Sequence, residues 1–200
     1  MTVLVGKQAP DFTLPAVMPD NSINDKFNFK EYTKGKMAVL FFWPADFTFV
    51  CPSEIIAFNN KLKDFQERGV NILGCSIDSQ FVHYAWKNTP VEKGGIGKID
   101  FPIVADISGE VAKMYDVMSD SKLAFRATFL INKDGKIVHE LINDLPLGRN
   151  IDETLRMVDA VNFHELYGEV CPANWKKGQE GMQENPESVA EFLSKHASEL

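Results

Sequence analysis

A continuous run of apolar side chains over residues 38–43 ends at Pro44, and together with Met37 it is the longest hydrophobic stretch in the chain. Such a run predicts a strand that is buried on both faces and therefore lies near the middle of a sheet. Even when Met37 is included, the run is far too short to span a bilayer. The pattern therefore indicates a buried core strand, and no membrane partner is expected.

An amphipathic helix is predicted directly after this strand. Pro52 suits the first position of a helix, which makes Cys51 the predicted N-cap, and Gly69 is a favourable stop. Between them lies one stripe of apolar side chains at spacings of three and four: Ile55, Phe58, Leu62 and Phe65. The pattern therefore places a cysteine at the start of a helix.

Strands and helices continue to alternate along the rest of the chain. Further strands are predicted over residues 70–77, 102–105, 126–131 and 137–142. Further helices are predicted over residues 79–89, from a Ser108 cap to residue 115, after Asn150, and from Pro186 with Val189, Phe192 and Leu193 facing inward. A hairpin turn at residues 132–135 joins the last two strands.

This order of elements predicts an α/β domain of the thioredoxin type. Residues 1–35, punctuated by Pro15 and Pro19, are predicted to be a loop-rich N-terminal extension. The domain is assigned to residues 1–167. A polar C-terminal arm, residues 168–200, shows no core of its own and is expected to pack on a neighbouring surface.

Composition narrows the possible functions. The net charge is −7, from 28 acidic and 21 basic residues, so nucleic acid is not expected as a partner. The first residues show no basic region followed by a long apolar stretch, so no secretory signal is predicted and a cytoplasmic location is expected. The four histidines are scattered without ligand spacing, so no metal site is predicted.

The three cysteines, Cys51, Cys75 and Cys171, point to thiol chemistry. An odd number without a CxxC pair argues against a structural disulfide framework, a zinc site and a dithiol–disulfide oxidoreductase. Cys75 lies in a predicted apolar strand and is interpreted as a buried, inert side chain. Cys51 is different, because the backbone N–H groups and positive dipole of a helix N-terminus favour a thiolate. By position alone, however, a cysteine that merely packs on the sheet explains Cys51 equally well.

The segment around Cys51 resembles the active-site loop of typical two-cysteine peroxiredoxins, whose motif Pro-x-x-x-Thr-x-x-Cys matches Pro44, Thr48 and Cys51. The resemblance extends to a Gly-rich loop at residues 91–97 and to a Val-Cys-Pro segment around Cys171. Two further stretches, residues 42–44 and 143–150, resemble the peroxidase component of bacterial alkyl hydroperoxide reductases, in particular its Helicobacter members.

The resemblance implies a role for each matching residue. Cys51 would be the peroxidatic nucleophile, Thr48 and Arg126 would stabilise its thiolate and the reacting peroxide, and Pro44 would shield the sulfur. Cys171 of a partner subunit would form a disulfide with oxidised Cys51. The expected supporting residues are Glu54 and Arg149. Without the motif, Thr48 could simply cap a turn, Arg126 could form a surface ion pair, and Cys171 could be an incidental thiol.

The resemblance also implies the partners of the reaction. The expected substrates are hydrogen peroxide and organic hydroperoxides, and no cofactor or metal is needed. The expected electron donor is thioredoxin or a flavin-containing disulfide reductase. The expected assembly is a homodimer, arranged as a decamer of five dimers. The alternative function is a holdase chaperone or a peroxide sensor that relays oxidation to partner proteins.

One departure from the family pattern concerns overoxidation. Peroxiredoxins that are sensitive to overoxidation pair their Gly-rich loop with a Tyr-Phe sequence near the C-terminus. This chain has Phe192-Leu193 there instead. The sequence therefore predicts moderate to low sensitivity of Cys51 to overoxidation.

Overall fold

The computed structural model describes residues 2–198 and 200 of the chain. Its strands are β1 (Thr13–Val17), β2 (Ile23–Asn28), β3 (Met37–Phe42), β4 (Val70–Ser76), β5 (Ile103–Ala105), β6 (Arg126–Ile131) and β7 (Ile137–Asn143). Its helices are α1 (Phe29–Thr33), α2 (Cys51–Asn60), α3 (Leu62–Glu67), α4 (Gln80–Lys87), α5 (Glu110–Met114), α6 (Ile151–Tyr167) and α7 (Pro186–His196). A 3₁₀ turn lies at Val91–Lys93.

The seven strands form one mixed sheet in the order β2-β1-β5-β4-β3-β6-β7. All six residues of β3 are buried, as the continuous apolar run predicts. β3 runs parallel to β4 and antiparallel to β6, and this pairing sets Phe42 opposite Cys75. The segment that leads to Cys51 leaves the sheet from the end of this central strand, so its starting point is fixed by neighbouring strands on both sides.

The N-terminal extension is more ordered than predicted. Instead of a loop-rich segment, the structure has the antiparallel pair β1–β2, and β1 also pairs with β5. Pro15 does not prevent this pairing because the register shifts between Leu14 and Ala16, where a bulge needs no N–H from the intervening residue. The turn residue Asn21 takes a φ of 66°, a conformation that asparagine tolerates well.

The helix after β3 differs from its prediction in two ways. It begins at Cys51, and Val50 is the N-cap, so the prediction of Cys51 as the N-cap is wrong by one residue. The Val50 carbonyl accepts hydrogen bonds from the N–H groups of Ser53 and Glu54, and no side-chain cap is needed. The predicted single helix is also divided at Lys61, whose φ of −98° and ψ of 4° separate α2 from α3.

The remaining elements follow their predictions with small shifts at their ends. Ser79 caps α4 by accepting a hydrogen bond from the Val82 N–H. Gly109, not Ser108, is the N-cap of α5, because the turn requires a left-handed residue with a φ of 67°. The hydroxyl of Ser108 still accepts a bond from the Glu110 N–H at 3.3 Å.

The chain divides into two compact units, residues 1–151 and 152–200. The first contains the sheet and α1–α5. The second contains α6 from Asp152 onward, the segment that carries Cys171, and α7. The predicted domain boundary at residues 167/168 stays a prediction.

The second unit has two helices joined by a long polar segment. The Trp175 side chain in that segment is buried, and its ring contacts the ring of Phe163 on α6 at 4.9 Å. On α7, Phe192 is buried, but Val189 and Leu193 are 38% and 44% exposed. The prediction that all three face inward is therefore wrong for two of them.

Candidate active site

The side chain of Cys51 lies at the first residue of α2 and is fully buried. Two hydrogen-bond donors reach its Sγ atom. The Thr48 hydroxyl is 2.8 Å away, and Nη1 of Arg126 is 3.3 Å away. Because an arginine only donates and always carries its charge, the site is suited to a sulfur that is negatively charged.

The Thr48 hydroxyl can serve both protonation states of Cys51. Its oxygen is 2.8 Å from Sγ and also 2.8 Å from the carbonyl oxygen of Ala45, but it has a single hydrogen to donate. When Cys51 is a thiol, its S–H donates to Thr48, and Thr48 donates to Ala45. When Cys51 is a thiolate, the hydroxyl rotates and donates to the sulfur. The same contact therefore persists through loss of the proton.

Arg126 is positioned by its place in the sheet and by two acceptors. It is the first residue of β6, and its side chain is buried. Nε donates to the carbonyl oxygen of Leu145 at 2.6 Å, and Nη1 donates to Oε2 of Glu54 at 2.7 Å. Since two acceptors fix the plane of the guanidinium, Nη1 is directed at Cys51 and cannot swing away.

Glu54, one turn into α2, is the centre of this ion network. Arg149 donates to the carboxylate of Glu54 from Nε, Nη2 and its backbone N–H, each at 2.9 Å. The Nη1 atom of Arg149 donates to the carbonyl oxygens of Phe42 and Ala127 at 2.8 Å. Burial lowers the pKa of Arg149, and the Glu54 carboxylate opposes that effect. The predicted supporting residues thus form a buried bridge between α2 and the sheet.

Pro44 and the exposed aromatic side chains complete the segment before Cys51. Pro44 is buried and lies two residues after the end of β3. The side chain of Phe47 is 51% exposed and that of Phe49 is 96% exposed. The segment therefore turns its polar and small groups inward and leaves two large rings at the surface.

Cys171, the other predicted reactive cysteine, lies in the second unit and is partly exposed. Its S–H donates to the carbonyl oxygen of Ala160 at 3.7 Å. Burial raises the pKa of the Cys171 thiol, and the charge of Arg156 partly offsets this. The structure thus gathers Cys51, Thr48, Arg126, Glu54 and Arg149 in one cluster, while Cys171 has separate surroundings.

Cys75 is buried in β4. Burial raises its pKa well above the usual value, and the charge of Asp106 adds to the effect. Within residues 2–198 and 200, no cluster of three or more His, Cys, Asp or Glu side chains could hold a metal ion. Over the same residues, no helix is long and apolar enough to cross a membrane.

Comparison with known proteins gives the family. A model described as the AhpC/TSA family matches residues 5–140, more than half of the chain. The chain belongs to the AhpC/TSA family. A second model, described as the C-terminal domain of 1-Cys peroxiredoxin, matches residues 160–195 of this AhpC/TSA protein.

Full-length relatives agree with the family models. Alkyl hydroperoxide reductase C of Helicobacter pylori is 54% identical over 198 residues, which cover 99% of this chain and 100% of that protein. Peroxiredoxin-2 of Cricetulus griseus is 45% identical over 193 residues, 96% of each chain. The crystal structure of reduced 2-Cys peroxiredoxin from Plasmodium vivax has a TM-score of 0.93 and 48% identity, covering 96% of this chain and 100% of that one.

These relatives confirm the predicted thioredoxin-like fold and the predicted class of activity. This AhpC/TSA protein is an enzyme, a thiol peroxidase of the peroxiredoxin type. The relatives do not favour the alternative of a holdase chaperone or a peroxide sensor.

Two buried residues beside the active site of this peroxiredoxin were not predicted from its sequence. Asp46 lies at an unspecified position of the loop motif, and His83 lies on α4; their side chains are in contact at 2.7 Å. The two are 37 residues apart, and neither stands out by spacing. The four histidines show no ligand spacing, so the sequence gives no signal that pairs His83 with Asp46.

Proposed function

We propose that this thiol peroxidase uses Cys51 to attack hydroperoxides. The observation that supports this most directly is the buried Cys51 Sγ atom held by two donors, Thr48 and Arg126. The thiolate attacks one oxygen of the peroxide, an S–O bond forms, and the O–O bond breaks. The sulfur is oxidised to a sulfenic acid, and the leaving oxygen takes up a proton and departs as water or an alcohol.

Thr48 and Arg126 promote this step by stabilising charge. As the O–O bond breaks, negative charge moves from the sulfur to the leaving oxygen. Arg126 is fixed by Glu54 and Leu145, so it is already oriented before the peroxide arrives. Pro44, buried ahead of Thr48, limits the access of water to the sulfur. Glu54 and Arg149 act through Arg126 and the start of α2 rather than on the peroxide.

The second half of the proposed cycle uses Cys171 of a partner subunit. Its thiol attacks the Cys51 sulfenic acid, an S–S bond forms, and water leaves. An external dithiol then reduces the disulfide and restores both thiols. The proposed donor is thioredoxin or a flavin-containing disulfide reductase. The proposed assembly is a homodimer in a ring of five dimers, and it rests on the resemblance of the segments around Cys51 and Cys171 to those of typical two-cysteine peroxiredoxins.

The proposed substrates are hydrogen peroxide and organic hydroperoxides. The name of the relative from Helicobacter pylori, alkyl hydroperoxide reductase C, supports the organic class. A cytoplasmic location is part of the proposal, because a cycle that depends on dithiol reductants fits a reducing compartment.

The test is peroxide consumption by the purified protein with thioredoxin and its reductase. Cys51→Ser should abolish consumption, whereas Cys75→Ser, a control in the same unit, should retain it. Cys171→Ser should still form a sulfenic acid in one turnover but should give no intersubunit disulfide on a non-reducing gel. Full activity of Cys51→Ser would refute the role of Cys51. Replacing thioredoxin with a flavin-containing reductase distinguishes the two proposed donors.

A further inference from the structure

A second buried polar pair lies beside the active-site loop. Nδ1 of His83, on α4, is 2.7 Å from Oδ2 of Asp46, and neither side chain is exposed to solvent. The other ring nitrogen, Nε2, is 3.2 Å from the carbonyl oxygen of Val104 on β5. A carbonyl oxygen only accepts, so this contact is a hydrogen bond only when Nε2 carries a hydrogen.

The contact between Nδ1 and Asp46 therefore requires one further proton. Either His83 is doubly protonated and Asp46 is a carboxylate, or His83 is neutral and Asp46 is a carboxylic acid. Both arrangements contain the same single proton between the two atoms. If it departs to solvent, one ring hydrogen remains for two contacts, so either Asp46 or the Val104 carbonyl faces a nitrogen lone pair in a buried site, and that contact becomes repulsive.

Asp46 also ties its loop to neighbouring elements. Its Oδ1 accepts a hydrogen bond from the indole N–H of Trp43 at 2.9 Å. Its backbone N–H donates to the carboxylate of Asp78 at 2.8 Å, and the Ser76 hydroxyl donates to the same oxygen at 2.7 Å. The loop is thus attached to the ends of β3 and β4 and, through His83, to α4 and β5.

These attachments affect the loop because the residue after Asp46 has an unfavourable backbone conformation. Phe47 has a φ of 54°, which is unfavourable for a residue with a large side chain. Its half-exposed ring contacts Trp86 at 5.7 Å. Thr48 follows immediately, with its hydroxyl 2.8 Å from the Cys51 sulfur. A change at Asp46 is therefore transmitted through one strained residue to the hydroxyl that contacts the nucleophile.

We infer that Asp46 and His83 are positioning residues for the reaction at Cys51, and that their shared proton holds the loop over residues 44–50 in its active arrangement. This inference rests on the proposed function of Cys51. It assigns the pair no contact with the peroxide; the pair acts through Thr48.

The direction of the pH dependence follows from the groups around the pair. Burial raises the pKa of Asp46, and the nearby Asp78 carboxylate raises it further, while His83 and the Trp43 N–H lower it. The carbonyl of Val104 faces His83 from β5 and does not titrate. Because Asp46 holds its proton more firmly in the folded protein than in the unfolded chain, this stabilisation is present at low pH and is lost as the pH rises through the pKa of Asp46 in the folded protein.

The test measures the second-order rate constant for oxidation of Cys51 by hydrogen peroxide over a range of pH. Each value is divided by the thiolate fraction, obtained from the ultraviolet absorbance of the thiolate with Cys51→Ser as blank. In the wild type, the corrected rate constant should fall as the pH rises and the pair loses its shared proton. In Asp46→Asn, the amide can donate to neutral His83 at every pH, so the corrected rate constant should stay constant.

Two histidine variants complete the experiment. His83→Leu removes the partner of Asp46 and should lower the corrected rate constant about tenfold at every pH, since a displaced loop misplaces Thr48. His164→Leu, an exposed histidine on α6, is the matched control and should behave as the wild type. Circular dichroism identifies an unfolded His83→Leu protein, in which case Asp46→Asn alone decides.

The outcomes separate this inference from the proposed function. A fall with rising pH in the wild type that disappears in Asp46→Asn supports it. A corrected wild-type profile without that fall, or an Asp46→Asn profile that matches the wild type, overturns it while leaving Cys51 as the nucleophile. If Cys51→Ser reduces peroxide as fast as the wild type, the proposed function itself fails.

Discussion

The two predicted reactive cysteines have opposite surroundings. Cys51 is fully buried, and the groups at its sulfur, Thr48 and Arg126, donate hydrogen bonds. Cys171 is partly exposed, and the group at its sulfur, the Ala160 carbonyl, accepts one. Donors stabilise a thiolate, whereas an acceptor stabilises a thiol. The contrast fits a division of labour in which Cys51 attacks as an anion and Cys171 keeps its proton until the sulfenic acid reaches it.

Each cysteine has an arginine nearby. Replacing the two arginines in turn should give the largest difference between the two cysteines. Arg126→Met should lower the rate constant for Cys51 oxidation by about 10²–10³-fold, because it removes a fixed charge from the reacting atoms. Arg156→Met should leave that rate constant unchanged, since the Arg156 side chain bonds Glu153 and the Trp175 carbonyl. Stopped-flow measurements with hydrogen peroxide check both. Equal losses in the two variants would contradict the division of labour.

The glutamates paired with these arginines should differ in their effect on stability. Glu54→Gln removes the carboxylate that pairs with two buried arginines and should cost about 3–5 kcal/mol of unfolding free energy. Glu153→Gln affects a pair whose side chains are 27% and 39% exposed, and should cost less than about 1 kcal/mol. Urea unfolding followed by circular dichroism measures both. Similar midpoints for the two variants would show that the Glu54 network adds little to stability.

The Thr48 hydroxyl contacts the Cys51 sulfur, whereas no hydroxyl is among the contacts described for Cys171. Replacing Thr48 therefore tests a difference between the two cysteines. Thr48→Val keeps the shape of the side chain but removes the donor, and should slow oxidation of Cys51 by about tenfold to a hundredfold. Thr48→Ser keeps the hydroxyl and should recover most of the rate. Stopped-flow oxidation by hydrogen peroxide compares the two. A valine variant as fast as the serine variant would mean that Thr48 only shapes the loop.

The smallest expected effect concerns the pH dependence of Cys171. Because burial raises the pKa of this thiol, its thiolate fraction, and so its alkylation rate, should rise about tenfold per pH unit across neutral pH. Arg156 opposes the shift, so Arg156→Met should slow alkylation at neutral pH by about twofold to threefold. Mass spectrometry after iodoacetamide treatment, with Cys51→Ser as background, measures this rate. Faster alkylation in Arg156→Met would reverse the assigned direction.

The parts of this fold that were predictable are those with strong periodicity. The apolar run of β3 and the stripe of α2 and α3 specify buried elements through side-chain hydrophobicity alone, so their existence and order were predicted correctly. The N-terminal strands were missed because Pro15 signals a loop locally, while the bulge that accommodates it forms only against a partner strand. The break at Lys61 was missed because no proline or glycine marks it.

The residues of the candidate site also differ in how far the sequence alone identifies them. Cys51, Thr48 and Glu54 lie within one short stretch of sequence, so a motif can identify them together. Arg126 and Arg149 come from distant segments and were assigned only through the family resemblance. The sequence could not identify the contact between Asp46 and His83, because the two residues are 37 positions apart and meet only in the folded structure.

The ion network around Glu54 determines how charge is balanced during the proposed oxidation of Cys51. With Cys51 as a thiolate, two anions and two cations share a buried volume, and the sum is zero. A sulfenic acid is neutral, so oxidation leaves this volume with one uncompensated positive charge, which a low-dielectric interior disfavours. The arrangement is therefore most stable when the enzyme is ready to react. We expect each oxidation to destabilise the packing around Cys51 and each reduction to restore it.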